Sequence, residues 1–361
     1  MMKDPTMTRF LFLLPMAACV AMLAGCDEQK TEDPKPAEQP VEVVQQESGE
    51  ECLQRAIDKL ALGEVDAADA AIKKAVDLLP DSAEAMLVEG QVAYRKGDLA
   101  RATKNFNAVA SEKSLPAALR AEALVSRAVA EIKQNDCDTA RLTLFRALRL
   151  NRRNAAVWYH LGLLSRNNYH FDEVAVEQFE MAARLSDPKD ERTKKISQEI
   201  RAARAAVTAA AASNPDAGKR DAGAAATLLG EAEALRKKRM IRAAIRKYEA
   251  AFAADPFSYP AARETAYLIS LNDKTPDGVD KALRAYRAAI DQRPAVQENY
   301  YAAAQLAYAN KRWATTVSIL DRAIAHDPEN VKTLDLFIAA LQKAGKNKQS
   351  EAWKAYRQEL K

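Results

Sequence analysis

The sequence WATTVSILDRAIAHDPEN, residues 313–330, has the pattern that decides the fold. In it a small residue, Thr316, is followed four residues later by Leu320 and three residues after that by Ala323. These three positions lie on one face of an α-helix, because a helix turns once every 3.6 residues. Pro328 comes five residues later, and proline ends a helix because it has no N–H and clashes with the preceding turn. The stretch therefore predicts an amphipathic helix that ends just before Pro328.

The same spacing of a small, a large and a small residue occurs six more times along the chain. The first members of successive sets are 34, 38, 35, 69, 38 and 34 residues apart, and 69 is close to two periods of about 34. A period of this length predicts an array of helix pairs. The other six sets are Ala68, Ile72 and Ala75; Ala102, Phe106 and Val109; Ala140, Leu144 and Ala147; Ala175, Phe179 and Ala182; Ala244, Tyr248 and Ala251; and Ala282, Tyr286 and Ala289.

A second amphipathic segment precedes each set, as in Trp158, Leu161 and Gly162. The paired segments resemble the tetratricopeptide repeat, and the resemblance covers nearly all of residues 52–361. It implies an all-α fold, a right-handed α–α superhelix (a solenoid) of about seven to eight helix pairs, in which small residues let paired helices approach closely. It also implies that the first helix of every pair lines a concave face that binds a protein or peptide.

The composition agrees with a helical array and argues against catalysis. Only 11 glycines and 14 prolines among 361 residues disfavour an all-β fold, and 48% hydrophobic residues exclude a collagen-like or wholly disordered chain. Three histidines and four cysteines leave little material for a metal site or a disulfide framework. No Gly-rich phosphate loop or Gly-x-Ser-x-Gly motif is present. We therefore expect no enzyme, no metal and no cofactor.

The amino-terminal segment has the pattern of a secretory signal. Residues 10–24 form one apolar run that is too short to span a bilayer comfortably as a helix but is typical of a signal peptide. The run ends in Leu23-Ala24-Gly25-Cys26, which resembles the lipobox of bacterial lipoproteins. This resemblance implies that Cys26 is lipidated and becomes the new amino terminus. The alternative is an ordinary secretory signal that happens to end near a cysteine.

The lipobox implies a lipid-anchored protein of the bacterial cell envelope, with the membrane as a partner through Cys26. Several acyl chains, at about 0.8 kcal/mol per buried methylene, make such an anchor effectively permanent. Asp27 follows directly, and its resemblance to a retention signal favours the inner membrane, facing the periplasm, over the outer membrane. Translation starts at Met1 or at Met7, and the start at Met7 leaves Asp4 out of the signal.

Composition divides the chain into five segments. Residues 27–50 contain three prolines, eight acidic and two basic residues, and they cannot bury enough apolar surface to offset their chain entropy. The sequence thus predicts a lipoprotein signal peptide at 1–25, the lipidated cysteine and a disordered acidic tether at 26–50, an N-terminal array at 51–185, an irregular helix and linker at 186–223, and a C-terminal array with capping helices at 224–361.

One dense basic cluster, Arg236-Lys237-Lys238-Arg239, interrupts the C-terminal array. In a cytosolic protein it would suggest nucleic acid. An exported chain should rarely meet any, so we expect no nucleic-acid partner. The cluster is then either a solvated helix end or a contact for anionic lipid or an acidic partner.

The register of the repeats assigns partner-binding residues to the exposed positions of the first helices. Tyrosine and arginine suit this role because each combines contact area with a directed polar group. The alternative for any single position is packing against the neighbouring helix. The predicted groove residues are Tyr159, Arg166, Glu233, Arg236, Arg263, Tyr267, Tyr301, Gln305 and Tyr308.

Together these patterns predict a membrane-anchored, non-catalytic scaffold that binds an envelope protein or peptide through its concave groove. The alternative function is capture of a glycan or small ligand at a membrane, as in helical-repeat lipoproteins that have large loop insertions with exposed tryptophan. The three tryptophans of this chain, Trp158, Trp313 and Trp353, lie in or beside repeat helices, which disfavours that alternative.

Overall fold

A computed structural model describes residues 47–213, 218 and 220–360. The predicted signal peptide, Cys26 and tether residues up to 46 lie outside the described residues. The described part contains 17 α-helices and no β-strand, which confirms the prediction of an all-α helical-repeat fold. None of these helices is both long enough and apolar enough to cross a membrane.

Sixteen of the helices form eight consecutive pairs, and α9 stands alone between the fourth and fifth pairs. We call the two members of a pair its first and second helix. The helices are α1 (Gly49–Ala61), α2 (Val65–Leu78), α3 (Ala83–Lys96), α4 (Leu99–Ser111), α5 (Ala117–Lys133), α6 (Cys137–Leu150), α7 (Ala155–Asn167), α8 (Asp172–Leu185), α9 (Glu191–Ala212), α10 (Ala222–Lys237), α11 (Ile241–Ala254), α12 (Tyr259–Asn272), α13 (Pro276–Gln292), α14 (Gln297–Ala309), α15 (Trp313–His326), α16 (Val331–Lys343) and α17 (Asn347–Gln358).

The small residues of the repeat lie where paired helices touch. A Cβ atom built on Gly162 of α7 would lie 2.5 Å from the ring of Phe179 on α8. The same contact joins α3 and α4, where a Cβ on Gly90 would lie 2.6 Å from the ring of Phe106. Because no atom fits at these distances, glycine is required where a phenylalanine fills the space between the two helices.

The described residues up to Leu115 form one compact unit, which contains α1–α4. In its core Cys52 of α1 packs with Ile72 of α2 and Val92 of α3. Helix α1 begins with a capping box, since Ser48 Oγ accepts a hydrogen bond from the Glu51 amide and the Ser48 amide donates to the Glu51 carboxylate. The helix therefore starts inside the segment that composition assigned to the tether.

Residues 116–360 form a second compact unit, which contains α5–α17. The long helix predicted within 186–223 is present as α9, and it packs on α8. Arg204 of α9 donates to Glu180 of α8 at 2.6 Å. The described residues of 186–223 thus belong to the second compact unit, while residues 214–217 and 219 lie outside the described residues.

The last three helices of the second unit pack back onto α6–α8. The ring of Phe145 on α6 lies 6.3 Å from that of Trp353 and 6.0 Å from that of Tyr356, both on α17. Gln178 of α8 donates a hydrogen bond to the carbonyl oxygen of Ala325 on α15 at 3.3 Å. These contacts join residues more than a hundred positions apart and cover parts of the second helices.

Candidate binding surface on the first helices

Ion pairs and a cation–π contact join α6–α8 to α15–α17. Arg141 of α6 is only 5% exposed, and its Nη2 lies 2.7 Å from an oxygen of Asp321 on α15. The Arg141 guanidinium also lies 4.0 Å above the centre of the Tyr169 ring, where the ring's negative face attracts the cation. His326 Nδ1 lies 3.0 Å from the carboxylate of Glu177 on α8. These faces of the second helices are therefore occupied, and open surface must be sought elsewhere.

The two predicted groove residues on α7 are largely covered by neighbouring helices. Tyr159 is buried, with its ring 5.9 Å from that of Phe179, and burial raises the pKa of its phenol to about 12. Arg166 is half-buried and forms an ion pair with Glu199 of α9. In both cases the side chain packs on neighbouring helices, which is the alternative that the sequence left open.

Helices α10 and α12 carry four of the predicted residues, and all four are exposed. Arg236 Nη1 donates to Glu264 Oε2 at 3.1 Å, and Arg263 pairs with the other oxygen of the same carboxylate. Glu264 therefore joins α10 to α12 and holds two guanidinium groups at one place on the surface. Glu233, also on α10, is exposed beside them.

Tyr267 is the most accessible aromatic residue of the predicted set. Its side chain is 46% exposed, and Leu271 of the same helix is 54% exposed. The two lie four residues apart, so both project from one face of α12. Large apolar side chains that remain this exposed on a helix face provide contact area for a partner.

Helix α14 continues the same surface with less exposed aromatic rings. Gln305 is exposed, and Tyr301 is half-buried. Tyr308 is half-buried as well, because its ring makes an edge contact with Trp313 at 4.9 Å between centres. The structure thus brings seven of the nine predicted residues to α10, α12 and α14 and leaves the two on α7 largely covered.

Two residues that the sequence-based prediction missed belong to this surface. Glu264 follows Arg263 directly in the sequence, and a carboxylate next to a predicted groove arginine is the sequence signal for it. Leu271 lies four residues after Tyr267, a spacing that places both on one face of a helix. Arg263, Tyr267 and Leu271 form an exposed stripe at a spacing of four residues, and Glu264 lies half-buried beside it.

The second unit also has an open cavity of about 260 Å³ between α16 and α17. Its wall includes Asp335 and Arg357, whose carboxylate and guanidinium are 2.9 Å apart. Lys354, also in the wall, lies 2.7 Å from the carboxylate of Glu351. Because these charged groups satisfy one another, the cavity has few polar atoms free to orient a small molecule.

Within the described ranges, no group of three or more His, Cys, Asp or Glu side chains is placed to hold a metal ion.

Residues 53–124 and 277–331 match a family model of the tetratricopeptide repeat. The first segment runs from α1 into α5, and the second runs from α13 to the start of α16. These segments therefore carry tetratricopeptide repeats, a structure typical of protein–protein interaction. No curated protein matches the chain.

The chain is also similar to solved structures. The protein MamA is 13% identical, with 57% of this chain and 91% of that chain covered and a TM-score of 0.32. A tetratricopeptide repeat protein from Parabacteroides merdae ATCC 43184 is 13% identical, with 81% and 98% covered and a TM-score of 0.33. Yeast Tom70 is 14% identical, with 87% and 68% covered and a TM-score of 0.31. At these TM-scores the likenesses carry no argument.

Proposed function

We propose that the chain is a non-catalytic scaffold of the bacterial cell envelope, anchored through lipid on Cys26, that binds a protein or peptide partner on its first helices. The observation that carries the proposal is the exposed face of α10, α12 and α14, where Tyr267 and Leu271 stand beside a group of paired charges. The repeats themselves are typical of protein–protein interaction.

The chemistry of this face favours a polypeptide partner. Tyr267 and Leu271 supply apolar area that only a partner of some size can cover. Arg236 and Arg263 both point to Glu264, so a carboxylate from a partner can take the place of one of the existing ion pairs. Exchange of one ion pair for another needs no deep cavity. It places hydrogen bonds between charged groups around the apolar centre formed by Tyr267 and Leu271.

The experiment that tests this surface is crosslinking of the protein in native membranes followed by identification of its partners. The double variant Tyr267→Ala, Leu271→Ala is expected to lose crosslinks to the principal partner, because it removes the apolar centre of the face. Leu78→Ala is the matched control, since Leu78 is an equally exposed leucine on the second helix α2. An unchanged set of partners in the folded double variant would contradict the proposal.

The anchor is tested separately by fractionation. Cys26→Ala is expected to release the protein from the membrane pellet in an alkaline wash, because it removes the only attachment site for the lipid. Cys19→Ala is the control, since Cys19 lies within the predicted signal peptide. Retention of the Cys26→Ala protein in the pellet refutes the lipid anchor.

A further inference from the structure

The last four helix pairs have one edge with an unusual charge. In each pair the first helix is joined to the second by three residues, namely 238–240, 273–275, 310–312 and 344–346. Four residues join each second helix to the next pair, at 255–258, 293–296 and 327–330. Short connections reverse the chain, and each helix packs on the next, so the three-residue turns lie along one edge and the four-residue turns along the other.

We call the first of these edges, residues 237–242, 273–275, 310–312 and 343–348, the basic edge. Its three-residue turns and the adjoining helix ends carry exposed cations that have no ion-pair or hydrogen-bond partner among the described residues. These cations are Lys237, Lys238, Arg239, Arg242, Lys311, Lys343, Lys346 and Lys348.

The acidic residues of this edge, by contrast, are few. Residues 237–242, 310–312 and 343–348 contain none, and Asp273 is the only one within 273–275. Asp277, at the adjoining start of α13, pairs with Lys281. The cations are therefore not neutralised by the protein itself.

Helix stability does not explain these cations. The amino terminus of a helix carries partial positive charge and is stabilised by carboxylates and hydroxyls, not by cations. Nevertheless Arg312 is the N-cap of α15 and Lys346 is the N-cap of α17. Neither side chain accepts a hydrogen bond from the helix, as an aspartate at the same position would do. Arg312 pairs with Asp280 of α13, whereas Lys346 has no side-chain partner among the described residues. The charge of Lys346 therefore points to a use outside the helix.

An apolar side chain lies within the densest group of cations. Met240 follows Lys237, Lys238 and Arg239 and is 52% exposed. Arg239, in the turn just before Met240, adopts a left-handed backbone conformation with φ 61°. Cations around an exposed apolar side chain are typical of segments that lie on an anionic membrane, where the cations meet headgroups and the apolar group enters the boundary below them. An acidic peptide would require the charge but not Met240.

The opposite edge lacks this excess of unpaired cations. Its four-residue turns contain Asp255, Asp327 and Glu329. The cation of these turns, Arg293, lies 4.2 Å above the centre of the Tyr259 ring and is held there. Asp255 lies 3.7 Å from Arg220, and Glu329 lies 2.8 Å from Arg152. An anionic surface would therefore attract the basic edge more strongly than this one, which fixes the side that faces it.

We propose that the basic edge docks on the anionic headgroups of the membrane in which the chain is anchored. This proposal rests on the proposed lipid anchor, because the anchor keeps the basic edge within reach of the headgroups. Each cation near an anionic bilayer multiplies the binding constant by a factor of roughly five. The contact is sensitive to salt, because exposed charges are screened beyond about 10 Å at an ionic strength of 0.1 M.

The test uses the full lipidated protein reconstituted in two kinds of vesicle. One contains only phosphatidylcholine, and the other contains phosphatidylcholine with phosphatidylglycerol. A water-soluble amine reagent is added, and the acylation of individual lysines is measured by mass spectrometry. We expect several-fold slower acylation of Lys238 and Lys346 in the anionic vesicles. Lys332, an exposed lysine at the start of α16 next to the opposite edge, serves as the reference and is expected to react equally in both.

Variants make the result specific to the edge. The charge reversal Lys238→Glu, Arg239→Glu is expected to abolish the slower acylation of Lys346, and so is high salt. Lys332→Glu, one reversal on the other side of the helix pairs, is the matched control and is expected to leave it intact. Equal acylation in the two vesicles would overturn the proposal, as would slower acylation in neutral vesicles that persists in high salt.

Two further outcomes separate this proposal from others. If added polyglutamate slows acylation of Lys238 and Lys346 while anionic lipid does not, the edge binds an acidic polypeptide and the proposal fails. Failure of the protein to float with neutral vesicles would refute the lipid anchor alone, because the neutral vesicles offer nothing to the basic edge. Flotation with both vesicles but equal acylation would refute the docking and leave the anchor standing.

Discussion

Three second helices of the first four pairs begin with acidic residues, whereas two second helices of the last four pairs begin with basic residues. Glu64, Asp98 and Asp136 are the N-caps of α2, α4 and α6. Arg312 and Lys346 are the N-caps of α15 and α17. Both regions nevertheless build the same helix pairs, because the pairs are held by small residues packed against large ones and not by their caps. The charge of the turn residues is therefore free to vary in this fold, and it can be used for binding at the surface.

The largest expected effect comes from the ion pair that joins the two regions, Arg141 of α6 with Asp321 of α15. Asp321→Ala leaves a buried guanidinium without its carboxylate, which costs about 3 kcal/mol of unfolding free energy. Urea denaturation of the native chain and the variant measures the difference. Asp335→Ala is the control, because its partner Arg357 lies in the same region and Asp335 itself is exposed. Equal losses of unfolding free energy in the two variants would show that the ion pair between the regions contributes no more than an exposed ion pair within one region.

The next largest effect depends on pH and is confined to the first region. Burial lowers the pKa of His160 on α7 from 6.5 to about 4, and its counterpart on α14 is Ala302. The unfolded chain binds the proton more readily, so stability is full above pH 6.5 and falls as the pH drops towards 4, by about 3 kcal/mol. Denaturation of the native chain and of His160→Gln at several pH values measures this, and the variant should lose less. Parallel pH dependences would contradict the prediction.

A smaller effect is expected at the close contact between Gly162 of α7 and Phe179 of α8, where glycine takes the place of a residue with a side chain. Gly162→Ala forces a Cβ atom against the Phe179 ring and should destabilise the protein by about 1–2 kcal/mol, after the gain in helix propensity. In the last pairs the equivalent positions hold Ala304 and Leu320, and both are buried, so the fold accepts alanine there. Gly230→Ala is the control, because nothing lies within 4 Å of its added Cβ, and it should raise the thermal midpoint.

The smallest effect tests the caps directly. Lys346→Asp supplies α17 with a side chain that accepts from the first turn, and it should stabilise the protein by about 1 kcal/mol. Asp136→Ala removes the bond that Asp136 accepts from the Thr139 amide at 3.3 Å and should lose a similar amount. Thermal denaturation of both variants checks the pair. If the Lys346→Asp protein were less stable than the native chain, Lys346 would itself stabilise the helix, and the prediction would be contradicted.

Local sequence pattern predicted the helices and their pairing well. The sets such as Ala140, Leu144 and Ala147 are buried in the structure, because spacing along a helix places them on one face. The predicted pairing residue Gly162 indeed meets Phe179. Both successes depend on contacts within one pair, where short turns leave the partner helix little choice.

The exposure of the groove residues could be predicted only in part. Register assigned Tyr267 and Tyr159 to the same kind of position, yet Tyr267 is exposed and Tyr159 is buried. The difference arises because the neighbours of α7 include α9, which carries Glu199 to Arg166. No spacing rule revealed that an unpaired helix would cover this face. The partner-binding roles of all nine residues stay predictions.

The sequence by itself determined that the described chain is all α-helical, that its helices come in pairs and which small residues lie between them, because these features follow from periodicities of a few residues. Only the tertiary structure decided which faces remain open and which charges meet. Arg141 and Asp321 are 180 residues apart, and their contact depends on small angles between successive pairs that add up along the array. The packing of each helix on the next likewise places the separate three-residue turns along one basic edge, which no single turn shows by itself.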